Sequence, residues 1–386
     1  MTPGVMEDVR FLSETLSGRE SQSEEEERAA EYIHGRLSSV TPDTEIEPFS
    51  CVDNWELVVA SYLGEFLLVA LAAVWWPLPA ALYGGAVAFA FLAEWSGRPV
   101  FSRLLPAYES ANVVARLESQ RPRRVFLLTA RYDSGPATLL TAPGAAAAQR
   151  ALHRLLLLAM TVVVATCVVE GAAVLGGAEN PAMPWFRWTA AAVLGVGAVL
   201  YFIAAAWGGD APGANGNASG VAALIRAAEL LRETPLEDSD VWLAATGAHG
   251  RGRAGIRALL GGAGIDKSLT HVVNLESVGR GTLRHTVAEG MPVAMPCGAL
   301  LRAAAAKADE TLAVPPVRLT SVATDAHTVL AGGWNALSIV GLDEDGVPCG
   351  WQWTEDTADL VEPDQIERAA AFAVAVLRGL ERLDRA

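Results

Sequence analysis

The sequence predicts an α/β sheet covered by helices on both faces and interrupted by two apolar helical hairpins, and three observations predict it. Short β-branched or apolar runs alternate with helical stretches through the polar parts of the chain. Residues 57–95, and then 155–177 and 188–208, are almost wholly apolar. Polar turns close several of the apolar runs, at "ARYDS", "TGAHG", "NLESVG" and "VGLDEDG", which converge where an open α/β sheet places its ligand site, beyond the carboxyl ends of its strands.

The elements follow in order. Residues 22–38, "QSEEEERAAEYIHGRLS", carry apolar positions at helical spacing with acidic residues in the first turns, where the helix dipole favours them, and read as a surface helix with His34 exposed. "ANVVARL" and "RRVFLLTARYDS" read as neighbouring strands. "GNASGVAALIRAAELLRET" is a helix opened by a Gly/Asn/Ser turn, followed by the buried strand "DVWLAATGAHG" and a helix over 253–260. The strand "HVVNLESVG", an alanine-rich helix over 299–309, the strand "ALSIVGL" and the closing helix "PDQIERAAAFAVAVLRGLERL" complete the pattern.

The apolar blocks are long enough for lipid. A bilayer core takes about 20 apolar residues per helix. Pro77 and Pro79 divide the first block into spans over 57–76 and 80–95, and a polar, Pro-containing loop at "AENPAMPW" separates 155–177 from 188–208. Four spans in two hairpins return the chain each time to the side it left. The expected organisation is one discontinuous polar domain (1–56, 97–150 and 209–386) with hairpins at 57–96 and 151–208. Arg98, Arg103, Arg150 and Arg154 flank the spans on the polar-domain side against Arg187 opposite, so the positive-inside rule puts that domain in the cytoplasm. The acidic amino terminus has no apolar h-region of a cleavable signal peptide. Glu65 and Glu170 interrupt the spans and are placed near an interface or facing the bundle.

With a net charge of -15 over 386 residues, a nucleic-acid partner is not expected; a small-molecule or peptide ligand, the lipid bilayer and a protein partner are. The four cysteines, Cys51, Cys167, Cys297 and Cys349, show no C-x-x-C pair and read as free thiols.

The order of segments resembles the di-zinc aminopeptidases of metallopeptidase family twenty-eight, which also includes glutaminyl cyclases and non-catalytic peptidase-like domains. The resemblance covers the chain outside the apolar blocks, from "S-x-x-E-x-x-A-A-x-Y-I" and "NVVARL" onward. It implies a central mixed, mostly parallel twisted sheet flanked by helices, of the zinc-exopeptidase type. It also implies a metal site, and here the sequence departs from the family. The family's H-x-D is "ARYDS", which puts Arg131 at a zinc-ligand position and Asp133 beside it. The metal-bridging Asp of G-A-x-D-N-x-S-G is Gly216 in "GANGNASG", and the G-E-E base and ligand are Ala248 and His249. Glu276 in "NLESVG" retains a carboxylate ligand, "TDAHT" keeps Asp325 with His327 displaced by one position, and the last His ligand is Gln352 in "QWTEDT".

A catalytic zinc takes three protein ligands of N, S or carboxylate type, and two dications need a bridging anion. Gly216 offers none and Ala248 cannot deprotonate water, so no metal cofactor is expected. His249 and Glu276 are the remaining candidate zinc ligands. Whether the chain is an enzyme stays open among three readings. One is a peptidase-like pseudoenzyme on a membrane anchor that binds a peptide, an amine-bearing small molecule or a partner. Another is a metal-free enzyme using Arg131, Asp133, His249, Glu276, Asp325 and His327 for acid–base or condensation chemistry on an amino-acid-like substrate. The third is a zinc aminopeptidase with rearranged ligands.

Overall fold

The structure is a computed structural model that describes residues 4–142, 144–178, 181–262, 264–291 and 293–385. Glu179 and Asn180 of the "AENPAMPW" loop, and the first three residues of the amino terminus, lie outside the described residues. The chain divides into two compact units: residues 1–53, 107–143 and 209–386 in one, and 54–106 with 144–208 in the other.

In the first unit, helices α1 (Val5–Arg10) and α2 (Glu24–Ser38) lead into strand β1 (Thr44–Val52). Ser23 caps α2 by accepting the Glu26 amide, as an N-cap serine does. The helix turns Ala29, Ala30, Ile33 and Leu37 into the core. His34 is half-buried and its Nε2 lies 3.1 Å from the Thr44 carbonyl oxygen, so it tethers β1 rather than standing free in solvent.

The sheet continues through β2 (Ala107–Leu117), β3 (Arg124–Arg131), β4 (Ser239–Thr246), β5 (Thr270–Glu276), β6 (Thr282–Glu289), β7 (Met295–Pro296), β8 (Pro316–Leu319) and β9 (Asn335–Leu342). Among the described residues it has nine strands, ordered β1-β2-β4-β3-β5-β9-β6-β7, with β8 beside β6. Its centre, β4-β3-β5-β9, is parallel, while β2 joins β4 and β6 joins β9 in antiparallel fashion. The central strands are buried on both faces, which is why "VFLLTA" and "HVVNL" are continuous apolar runs rather than alternating ones. At the edge, β1 carries Pro48 and the two glutamates Glu45 and Glu47, which would be costly inside a sheet; "TEIEPFSCV" is tolerated there because only one neighbour, β2, needs its backbone.

Helices α7 (Ser219–Glu233), α8 (Ala254–Gly262), α9 (Ala299–Leu312), α10 (Asp325–Ala331) and α11 (Pro363–Arg385) complete this unit. Most of them, with α1 and α2, join the strands in one apolar core. Helix α7 runs so close to β5 that a Cβ at Gly220 would lie 2.7 Å from the Leu275 carbonyl oxygen.

The second unit holds α3 (Trp55–Ala72), α4 (Pro77–Trp95), α5 (Ala146–Leu175) and α6 (Met183–Ala206). Among the described residues, four helices are long and apolar enough to cross a membrane: Trp55–Ala72, Pro77–Trp95, Ala147–Leu175 and Met183–Ala206. Pro77 stands at the first position of α4, where its missing N–H costs nothing, so the proline that splits the apolar run starts the second helix. α5 begins well before residue 155, because "AAAQRALHR" is itself good helix-forming sequence. Exposed Trp75, Trp76, Trp185 and Trp207 stand near helix ends, the placement of interfacial aromatic belts.

Several charged or polar groups of this unit are engaged. The Glu94 carboxylate accepts the amides of Val100 and Phe101 at 2.8 Å each, and the hydroxyls of Tyr62 and Ser102. Arg187 at the start of α6 pairs with Glu170 near the end of α5. His153 Nε2 lies 2.8 Å from the Tyr201 hydroxyl.

Candidate functional site

The parallel strands end together, and the candidate residues gather at those ends. Arg131 is the last residue of β3 and Glu276 the last of β5, while Thr246 closes β4. Arg131 Nε donates to Glu276 Oε1 at 2.7 Å, both side chains being essentially inaccessible to solvent. Burial would lower the affinity of this guanidinium for its proton, but the charges of Glu276, Asp133 and Asp325 outweigh it and hold the pKa above the ordinary arginine value. The Arg131 guanidinium carbon stands 4.4 Å from the centre of the Trp351 ring, a cation–π contact. Among the described residues its Nη1 and Nη2, and Glu276 Oε2, have no hydrogen-bond partner.

Asp133 follows β3 and fixes the loop after β4. Its two oxygens accept the amides of His249 at 2.9 Å and Gly250 at 3.0 Å, with the Ser21 hydroxyl at 3.2 Å. In that loop Ala248 takes a left-handed φ of 49° and is fully buried. His249 is held from two sides: its Nδ1 is 2.9 Å from Asp325 Oδ1, and its ring meets Trp351 edge-on at 5.9 Å. Asp325 Oδ2 accepts the Thr246 hydroxyl at 2.6 Å. Burial pushes the Asp325 carboxyl upward, but the His249 hydrogen bond and charge, the Thr246 hydroxyl and Arg253 bring it below the usual range.

Arg131, Asp133, His249, Glu276 and Asp325 therefore form one connected cluster roofed by Trp351. His327 does not join it by any hydrogen bond. It lies on α10 two residues beyond Asp325, its Nδ1 is buried without a partner among the described residues, and burial together with Arg253 lowers its pKa to about 3. Gln352, with a φ of 48°, packs its amide against Gly135.

Three acidic or basic groups that motif comparison passed over complete the site. Asp356 Oδ1 and Oδ2 accept the amides of Asn215 at 2.9 Å and Gly216 at 2.7 Å. Its carboxylate thereby caps the turn Ala214–Ala218 that opens α7. Burial pushes the Asp356 carboxyl up to about 6, against the pull of those amides and of the Arg131 and Arg19 charges. The same carboxylate explains Gly350, whose φ is 72° and whose added Cβ would lie 2.7 Å from Asp356 Oδ1. Arg19 is wholly buried and donates to the carbonyls of Tyr132 at 3.1 Å and Leu16 at 3.0 Å and to the Asn217 side chain; burial lowers its pKa to about 10. Glu26 accepts the Ser110 hydroxyl at 2.8 Å and the Ala248 amide at 3.3 Å, and burial beside Asp133 raises its pKa to about 7. Asp356 was visible in "QWTEDT", and Glu26 in the Ser-x-x-Glu opening of α2; Arg19 gives no local signal, since its partners are scattered backbone carbonyls.

A mixed sheet with a parallel centre, flanked by helices and carrying its polar cluster at the parallel strand ends, defines the zinc-exopeptidase class of fold. Comparison with known proteins specifies it further: Peptidase family M28 matches residues 199–377. A zinc aminopeptidase from Bacillus subtilis superposes with a TM-score of 0.56 at 12% identity, covering 98% of this chain and 95% of that one. An aminopeptidase from Aneurinibacillus sp. strain AM-1 gives 0.56 at 13% identity, with 97% and 92% covered. A glutaminyl cyclase from Porphyromonas gingivalis gives 0.55 at 9% identity, with 98% of each chain covered. At these identities the likeness is one of fold. No curated protein sequence matches the chain.

Proposed function

We propose that the chain is a membrane-anchored peptidase-like protein whose cleft binds an amine-bearing small molecule, a peptide or a partner without the two zinc ions of the family. The observation that carries this reading is the buried Arg131–Glu276 ion pair at the strand ends. A guanidinium bonded to Glu276 Oε1 brings positive charge to the carboxylate a cation would need. The remaining donors are too few for a zinc ion: Gly216 and Ala248 offer nothing, and among the described residues no group of three or more His, Cys, Asp or Glu side chains converges as a metal site. A dication beside Arg131 would also meet its repulsion.

Several features support an amine ligand. Asp133, Glu276, Asp325 and Asp356 outnumber Arg131 and Arg19 in the cluster, which favours a cation. Glu276 Oε2 is an unused acceptor beside the unused Nη1 and Nη2 donors of Arg131, a pairing suited to an ammonium next to a carbonyl. The four apolar helices support the anchor, and the Arg98, Arg103, Arg150 and Arg154 flanks support a cytoplasmic polar unit.

Calorimetric titration with short peptides and amino-acid amides tests the reading. Ligands with a free amino terminus bind, acetylated ones do not, and Glu276→Gln weakens binding at least tenfold; equal binding of free and acetylated ligands contradicts it. The Asp325–His249 pair favours a second reading, metal-free acid–base chemistry, because a carboxylate on Nδ1 fixes the ring so that Nε2 is the basic nitrogen. Under that reading His249→Ala abolishes turnover, followed by mass spectrometry, while ligand binding persists.

A further inference from the structure

The ion pair at the strand ends leaves three polar atoms unsatisfied in one place. Among the described residues Arg131 Nη1, Arg131 Nη2 and Glu276 Oε2 are buried without a hydrogen-bond partner. Their side chains are 1% and 0% exposed. A buried polar group without a partner has given up its hydration for nothing, so such groups are rare and each asks for a reason. Three on one bonded pair point to a ligand.

The donors define the part of the ligand that meets Arg131. Glu276 Oε1 already takes Arg131 Nε at 2.7 Å, so the edge of the guanidinium left over is the one formed by Nη1 and Nη2. Two N–H donors side by side match the two oxygens of a carboxylate, whereas an amide carbonyl offers one. Gly216 keeps this edge unclaimed by the chain itself. A Cβ there would lie 3.7 Å from Arg131 Nη2, so an aspartate at that position would bring its own carboxylate to the guanidinium.

The surrounding charges set a second condition. Asp133 and Asp325 act on Arg131, and Arg131 acts in turn on Asp356, so the guanidinium stands among carboxylates besides Glu276. A bare anion entering there meets their repulsion, and an anion that carries its own cation does not. Glu276 Oε2 is the acceptor for that cation.

We propose that the cleft recognises a free α-amino acid as its zwitterion, the carboxylate accepting from Arg131 Nη1 and Nη2 and the ammonium donating to Glu276 Oε2. Guanidinium, Glu276 carboxylate, ligand ammonium and ligand carboxylate then alternate in sign around a closed ring. Arg131 and Glu276 are in direct contact, so the two charged groups of the ligand must also be close together, as they are on one α-carbon. Trp351, half-buried against the guanidinium, has to lift for the ligand to enter. The proposal rests on the amine reading given above and adds the α-carboxylate to it.

Isothermal titration of the full-length protein in detergent tests it, with the common L-amino acids, their α-amides and their N-acetyl forms as titrants. A free amino acid should bind roughly tenfold or more tighter than its α-amide, and its N-acetyl form should not bind. Gly216→Asp should weaken the free acid by a similar factor and the amide little. The comparison of acid with amide on the unaltered chain decides the matter even where that variant fails to fold. An α-amide that binds as tightly as its parent acid overturns the α-carboxylate contact and leaves the amine reading standing. Binding of none of these compounds, or of the N-acetyl forms as tightly as the free acids, overturns both.

Discussion

The two units of this chain handle buried charge in opposite ways. At the strand ends of the α/β unit, Arg131 and Arg19 sit among Glu276, Asp133, Asp325 and Asp356, each charge held by several partners far away in sequence. In the helical unit the charges are few and local: Glu94 binds backbone amides a few residues on, and Glu170 meets Arg187 from the adjoining helix. A cluster with this many charges in a dry site is retained only if its parts neutralise one another. Glu94 and Arg187 are buried as well, but each is one of a small local set near a helix end rather than part of a many-membered cluster. The lesson is that removing one member should matter far more in the first unit than in the second.

The largest effect is expected from Arg131→Ala. It leaves Glu276 buried without its cation, and by the usual cost of breaking a buried pair it should lower stability by about 3–5 kcal/mol in chemical denaturation. Arg131→Lys should recover part of this, since the charge returns without the guanidinium geometry.

Gly216→Asp restores the family's residue and sharpens the comparison. Its Cβ would stand 3.1 Å from Asp356 Oδ2, so a second carboxylate would be forced beside the first. A loss of about 2–3 kcal/mol is expected. The loss should grow from pH 5 to pH 8, because Asp356 ionises around 6 and repulsion follows its charge. Chemical denaturation at the two pH values checks it; equal losses would count against the placement of Asp356.

Glu26 gives a smaller, signed effect. Burial raises its pKa from the ordinary glutamate value to about 7, so its contribution to stability is fully present below about pH 4.5 and is lost as pH rises through 7. In Glu26→Gln the decline in stability between pH 5 and pH 8 should become shallower by on the order of 1–2 kcal/mol, measured as the change in slope rather than in absolute stability. The smallest effect belongs to the helical unit: Arg187→Met should change thermal unfolding in detergent by about 1 kcal/mol or less. A loss as large as that of Arg131→Ala would erase the contrast between the units.

Much of this arrangement was legible in the sequence, and the remainder has physical reasons for being hidden. The parallel centre of the sheet could be read because strands buried on both faces must be continuously apolar, as "VFLLTA" is. The helices of the second unit could be read because lipid-length apolar runs are rare otherwise, although the early start of α5 at residue 146 was not, since hydropathy marks the span and not the helix around it. Strands β1, β6, β7 and β8 give no strand signal: "TEIEPFSCV" and "TLRHTVAE" carry too many polar residues for a strand pattern, β7 and β8 have only two and four residues, and their pairing is decided by neighbours distant in sequence. At the site, motif order placed Arg131, Asp133, His249, Glu276 and Asp325 together. It did not reveal that Asp356 turns to the Gly216 amide, which depends on how the loop after β9 folds back.

The central claim is that a guanidinium, not a pair of zinc ions, holds the cleft's carboxylates together. Inductively coupled plasma mass spectrometry of the full-length protein, dialysed against buffered micromolar zinc and then freed of unbound metal, tests it most directly. The account predicts well below one zinc per chain, with Arg131→His and Gly216→Asp combined raising that number. One or two zinc ions bound stoichiometrically to the unaltered chain would contradict it.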